Sequence, residues 1–333
     1  MKNYFTIGKS VCILMVMVLL ASKSFAGIGA TTHFTTVWEG ENGQDHMNFM
    51  VVSAIFEDVA LLVNDEIAVF SGSKCVGATK LTSSINPADN TSYLKISASR
   101  DDGSNNGFIE NDTIIFKIWD NLNQKEIVAK SVTFRNDIST WVATGKFSSG
   151  ATSVVEIVSY NEFTQTVSFI RGNNMFSSYL NPENPNAALV MKALCDGGYL
   201  SKMTDETGKA FSLTKNVGWV NNIGSMENTE GYLLSINSNC TFQLTGRMIK
   251  LPLAIPLKSG WNYISFPKTV SVNAMTIVQQ LIDQNKLIKV QEEAGNSIEN
   301  LKRLGGWKNG IGNFLPGKSY KVNVNADAIL TIQ

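Results

Sequence analysis

The sequence predicts a mainly β chain with α+β parts: an N-terminal antiparallel β-sandwich followed by two duplicated small α+β domains. Three observations predict it. Between Thr35 and Val158, short apolar runs punctuated by Gly, Asn, Asp and Pro recur with little helical periodicity, as strands spaced at roughly 8–12 residues do. The second half repeats itself at an offset of 87 or 88 positions, Gly172 against Gly260 and Leu194 against Leu281. Each copy carries an Asn-led segment with apolar residues at helical spacing among its short strands. The bounds that follow are 1–26 for a signal peptide, 27–160 for the sandwich, 164–246 for the first repeat and 250–333 for the second.

The N-terminus has the pattern of a secretory signal. Lys2 and Lys9 precede the apolar run Val11–Ala21, too short for a bilayer span, which needs roughly 18 residues. Ser24-Phe25-Ala26 supplies a small-x-small cleavage site, so processing is expected after Ala26. The whole chain of 333 residues balances 28 basic against 28 acidic groups. Cleavage removes Lys2, Lys9 and Lys23 and no acid, which leaves the mature chain slightly acidic. Without a basic excess there is nothing to release phosphate counterions, so nucleic acid is not an expected partner. No second long apolar run occurs, and the mature chain is expected outside the cytoplasm without a membrane span: extracellular, on the cell surface or in the periplasm.

Sandwich strands are expected over 50–55, 67–70, 93–98, 114–119, 127–132 and 154–158. Asn64-Asp65 and Asn111-Asp112 sit just before two of them, as turn residues should. In the repeats, short strands open each copy at 167–170 and 254–257, followed by 175–180 and 261–266. Helices are expected over 186–194 and 273–282, each behind an Asn cap. Strands return at 200–203 and 287–290. The pairs 232–236 with 241–244, and 320–324 with 329–332, are expected to close each copy as hairpins.

The run Asp65-Glu66-Ile67-Ala68-Val69-Phe70, with Cys75-Val76-Gly77-Ala78 and Phe116-Lys117-Ile118-Trp119-Asp120, resembles a β-sandwich module of secreted surface proteins of Bacteroidetes-type bacteria. The duplicated half resembles a second module of such proteins. Its signatures are Gly-Trp-Asn-x-Ile-Ser, Leu-x-Lys-Val-x-Asp-Glu-x-Gly and Trp-x-Asn-x-Ile-Gly before a closing Tyr. The second copy follows them almost throughout, with Glu292 at the Asp position; the first has Asn173 where the Trp belongs. The resemblance covers most of the mature chain and implies architecture rather than chemistry.

No catalytic residue is expected. Triad chemistry needs a histidine within reach of a nucleophile, and only His33 and His46 exist, neither near a nucleophile motif. Gly-x-Ser-x-Gly, a phosphate-binding loop and His-Glu-x-x-His are absent. A carboxylate pair could still serve a glycoside hydrolase; Asp205/Glu206 and Glu292/Glu293 recur in both copies, which favours a structural role. No cofactor is expected, with calcium as the one candidate ion. Counting Asp102 as the first position of a calcium loop puts Ser104 and Asn106 at ligand positions; Thr113 stands twelfth, and Asp112 one place early. The alternative is a polar loop between strands. Cys195 and Cys240 face Ile282 and Ala328 in the other copy, which fits either a disulfide worth roughly 4 kcal/mol over about 45 residues or two buried thiols. Trp219 and Trp307 recur, as sugar-stacking platforms or as core anchors, the core being preferred. The expected role is adhesion, interaction or spacing among extracellular or envelope proteins or polysaccharides. A lectin-like use of the sandwich stands second and a carboxylate hydrolase third.

Overall fold

The computed structural model describes residues 28–38, 45–89, 91–302 and 305–333. The expected signal peptide, 1–26, lies outside the described residues. Two compact units divide the chain, Met1–Tyr160 and Asn161–Gln333. Strands dominate both, so the chain is mainly β with few helices.

In the first unit the strands are β1 (Ile28–Gly29), β2 (Met47–Phe56), β3 (Val59–Ala60), β4 (Glu66–Ser71), β5 (Lys74–Leu81), β6 (Leu94–Ala98), β7 (Ile114–Asp120), β8 (Lys125–Val128), β9 (Ser131–Phe134) and β10 (Thr152–Ser159). One sheet runs β1-β5-β4-β7-β8 and the other β3-β2-β10-β9, with β6 also on β2. The pairs are antiparallel except β2 with β10, which is parallel and slips register between Val155 and Glu156. The antiparallel expectation is corrected at that pair. A second correction concerns 127–132, expected as one strand. The chain breaks at Ala129-Lys130, where β8 leaves one sheet and β9 joins the other; two short runs that change sheets read as one alternation.

Alternation decides which faces meet. Phe49, Val51, Ile67, Val69, Phe116, Ile118, Val155 and Ile157 point inward from both sheets and are buried together, as aligned sandwich sheets require. β4 is buried along its whole length, because its outer face is also covered. There Phe34 packs on Ala68, Phe70 and Cys75, and His33 stacks on Trp119 at 3.6 Å between ring centroids. Glu66, fully buried, receives the amide N–H groups of Thr32, His33 and Phe34 and ties this N-terminal segment down.

The second unit holds two lobes. The first contains β11 (Phe163–Phe169), β12 (Gly172–Phe176), β13 (Leu180–Asn181), α1 (Ala187–Val190), α2 (Lys192–Asp196), β14 (Leu200–Thr204), β15 (Ala210–Thr214), β16 (Gly218–Asn221), β17 (Tyr232–Ile236) and β18 (Cys240–Met248). The second contains β19 (Leu253–Leu257), β20 (Gly260–Ile264), β21 (Val272–Asn273), α3 (Ala274–Asp283), β22 (Leu287–Gln291), β23 (Ser297–Asn300), β24 (Trp307–Asn309), β25 (Asn313–Phe314), β26 (Tyr320–Val324) and β27 (Ala328–Ile332). Their main sheets share one strand order, β12-β17-β14-β15-β16 and β20-β26-β22-β23-β24. Each lobe buries its own apolar core.

Two expectations change here. The final strand pairs are not hairpins: β17 and β26 lie in the five-stranded sheets, whereas β18 pairs with β11 and β27 with β19. The opening strands β11 and β19 hold those partners instead. The helix expected over 186–194 is two short helices that meet at fully buried Met191, while α3 is continuous. Between the lobes the contacts are near-symmetric. Ser177 N donates to Gly317 O at 3.1 Å, and Ser265 N donates to Thr229 O at 3.1 Å; both residues of each pair are offset by 88 positions.

Candidate functional site

The motifs that the two lobes share do structural work. Asn221 of the Trp-x-Asn-x-Ile-Gly motif clamps its own turn, accepting from Gly224 N and donating to Gly224 O at 2.9 Å each. That same carbonyl accepts the first helical amide, Ala187 N. Asn309, Gly312 and Ala274 repeat the arrangement in the second lobe. The motif is thus a seat for a helix N-terminus, whose orphan amides need acceptors. Asn174 and Asn262, the amides after the repeat-opening glycines, fold back on Ile170 and Lys258 respectively. Tyr232 and Tyr320 accept Glu227 N and Leu315 N through their hydroxyls. These Asn and Tyr side chains thus serve the lobes' own architecture, whereas Trp261 of the second copy is exposed.

Trp219 and Trp307 belong to the same architecture. Each packs half-buried on its lobe's core, Trp219 tilted on Phe211 at 4.7 Å. Cys195 and Cys240 are free thiols, half-buried beside the first core; burial pushes the Cys195 thiol up to about 11. Asp205 accepts Thr207 N and Lys209 N at 2.9 Å, organising a turn.

In the calcium candidate, Asp102 accepts Ser104 N at 2.9 Å. Asn106 accepts Asp102 N. Asp112 instead accepts Ser71 Oγ and Ile109 N, and the Lys74 ammonium lies on Asn105 Oδ1 at 2.8 Å. Local hydrogen bonds thus engage one oxygen each of Asp102, Asn106 and Asp112. Among the described residues no group of three or more His, Cys, Asp and Glu could hold a metal ion.

The site that the geometry does build lies on the outer face of the second sandwich sheet. Because β2 and β10 bury Phe49, Val51 and Val155 on one side, the intervening Met50, Val52, Thr152 and Val154 face the other. They floor a cavity of about 400 Å³. One wall is the loop before β6, with Asp89 and Tyr93. The other is the loop after β9, with Arg135, Asp137, Ile138 and Trp141. Both loops are internally braced. Asp89 accepts the Thr91 amide and hydroxyl, Ser92 Oγ accepts Asn86 N, and Arg135 N and Val142 N donate to β10 carbonyls of Val154 and Thr152.

Arg135 and Asp137 form a two-pronged pair, Nε to Oδ1 at 3.1 Å and Nη2 to Oδ2 at 2.6 Å. The guanidinium also lies 5.9 Å from the Trp141 ring. That cation holds the Asp137 carboxyl below its usual range, and the Thr91 hydroxyl and amide do the same for Asp89. The groove therefore offers two aromatic rings, an apolar floor and fixed donors and acceptors at its rim. Sequence reasoning missed Tyr93, Arg135, Asp137 and Trp141 as residues of one site. The available signal was a Trp in a polar run, outside any alternating strand. Comparison with protein-family models, with curated proteins and with solved structures finds no match to this chain.

Proposed function

We propose that the chain is a secreted, non-enzymatic binding protein that holds a carbohydrate in the groove of its sandwich. The observation that carries this reading is the placement of Tyr93 and Trp141 with the Arg135–Asp137 fork around one apolar-floored cavity. A pyranose ring has apolar C–H faces that suit aromatic rings and a hydroxyl rim that suits paired planar donors and acceptors. Pockets of this size with few convergent polar groups are the usual form of small-ligand sites. The signal-like N-terminus and the resemblance to secreted surface modules support an extracellular setting. The two lobes, whose motifs serve architecture, fit a spacer or adhesion role beside the binding sandwich, and the shared strand order and offset support a duplication.

The hydrolase reading is weaker at this groove. Glycosidic cleavage needs one carboxyl kept protonated as the acid, and Asp89 and Asp137 are both held toward their charged forms. Titration of soluble neutral oligosaccharides against intrinsic fluorescence tests the proposal. A responding glycan should lose at least tenfold in affinity on Trp141→Ala and on Arg135→Met, with melting temperatures unchanged. Silence across neutral and acidic glycans, or full binding by both variants, sinks it.

A further inference from the structure

The two lobes treat the same strand edge differently. In the second, Gln280 of α3 closes the edge of β27: its Nε2 donates to Thr331 O at 2.8 Å and its Oε1 accepts Thr331 N at 2.9 Å. Thr331 corresponds to Gln243 of β18, since both lie opposite matching residues of the opening strands, Ala254 and Thr166. Counting seven residues from the capping Asn273 and Asn186 puts Ala193 where Gln280 stands. Ala193 has no group that can reach a backbone amide. In its place the first lobe has an open cavity of about 490 Å³, lined by Ala193, Leu189, Val190 and residues Gln243–Thr245.

An uncovered edge is a template for another strand. Here β13 already occupies the neighbouring stretch, pairing with Arg247 and Met248. The stretch of β18 that lines the cavity, Gln243–Thr245, accommodates an added strand of about three or four residues at ~3.4 Å each. Among the residues that line it, Glu183 and Asp196 are acidic, as is Glu162, and Lys192 is the basic one, paired with Asp196. The groove is therefore acidic.

We infer that this groove is a second binding site, distinct from the sandwich cavity, which takes a short basic segment of a partner polypeptide as an added strand on β18. The second lobe shows what the edge accepts: one donor and one acceptor in the geometry of an amide. A peptide main chain supplies the same pair, alternate apolar side chains meet Leu189 and Val190, and lysines meet the acidic rim.

The test uses the full mature chain and the probe acetyl-Lys-Val-Lys-Val-Lys-amide, followed by calorimetric titration. One-to-one binding is expected. Ala193→Gln, which supplies the amide that the second lobe already has, should weaken binding at least tenfold while the melting temperature holds or rises. The same peptide N-methylated at alternate amides, with unchanged charge, should lose as much, and acetyl-Glu-Val-Glu-Val-Glu-amide should bind at least tenfold more weakly than the lysine probe. No binding at millimolar peptide overturns the inference. So does equal binding by Ala193→Gln or by the methylated probe, and equal binding of the acidic probe overturns the choice of a basic partner.

Discussion

At the residue scale, two glutamates, Glu66 and Glu230, are pushed in opposite directions by their surroundings. Burial works against the charge of Glu66, but the Phe34, Thr32 and His33 amides outweigh it and hold its carboxyl below the ordinary glutamate value of 4.5. A depressed folded value means stability that is present above the unfolded value and lost as pH falls through the folded one. Glu66→Gln should cost about 2 kcal/mol in urea unfolding near neutrality, through weaker bonds to three amides. Because His33 stacks on Trp119, acid release of the segment should appear as a fluorescence change that Trp119→Phe abolishes. Glu230 is the reverse case: burial first, then the charges of Glu206, Asp205 and Glu227, push it up. Its ionisation costs stability, so this contribution falls as pH rises from the ordinary value through the raised one. Glu230→Gln should therefore be more stable than the parent by about 1 kcal/mol at pH 8 and equal to it at pH 4 in thermal melts. The second lobe shows the relieved arrangement, with Lys318 at the position of Glu230 and a 2.9 Å ion pair to Glu293.

At the scale of elements, the helix seat is the most informative unit. Asn273 caps α3 by accepting Met275 N at 2.9 Å, and Asn309 holds the turn beneath it. Asn273→Ala should lower stability by about 1 kcal/mol. Asn309→Ala should lower it comparably, although Asn309 lies outside the helix; chemical denaturation of both variants and of the double variant measures their coupling. These elements also show why some of the fold was legible. Strands with one buried face, such as β7 and β26, alternate cleanly, and α3 displays Ala274, Ile277, Val278 and Leu281 at helical spacing. Short strands such as β16 and β24, three or four residues with one half-buried Trp each, are too brief to show such a pattern, and their pairing with a neighbouring strand defines them. The sheet change at Ala129-Lys130 and the partners of β18 and β27 are non-local choices that a one-dimensional pattern does not encode. The groove was hidden for a similar reason. Its floor consists of the outward residues of two strands about a hundred positions apart, and its aromatic walls come from loops.

For the whole molecule, the seam between the lobes sets the rules of association. At its centre Gly231 N donates to Tyr263 O at 2.9 Å, and a Cβ built on Gly231 would fall 2.3 Å from Ser319 Cβ. Gly231 and Ser319 are counterparts 88 positions apart, so each faces its own equivalent, as residues on a two-fold axis do. Only one of the two can carry a side chain. Ser319 is also a buried hydroxyl with no hydrogen-bond partner, so Ser319→Ala should leave the protein as stable or slightly more so in thermal melts. The consequence is a rule of mating. Two copies of the second lobe would bring serine against serine and be refused, so isolated residues 250–333 should sediment as a monomer, and Ser319→Gly should let them dimerise. The missing methylene at residue 231 thus acts as a gender mark, which makes an isologous seam accept only its sibling lobe.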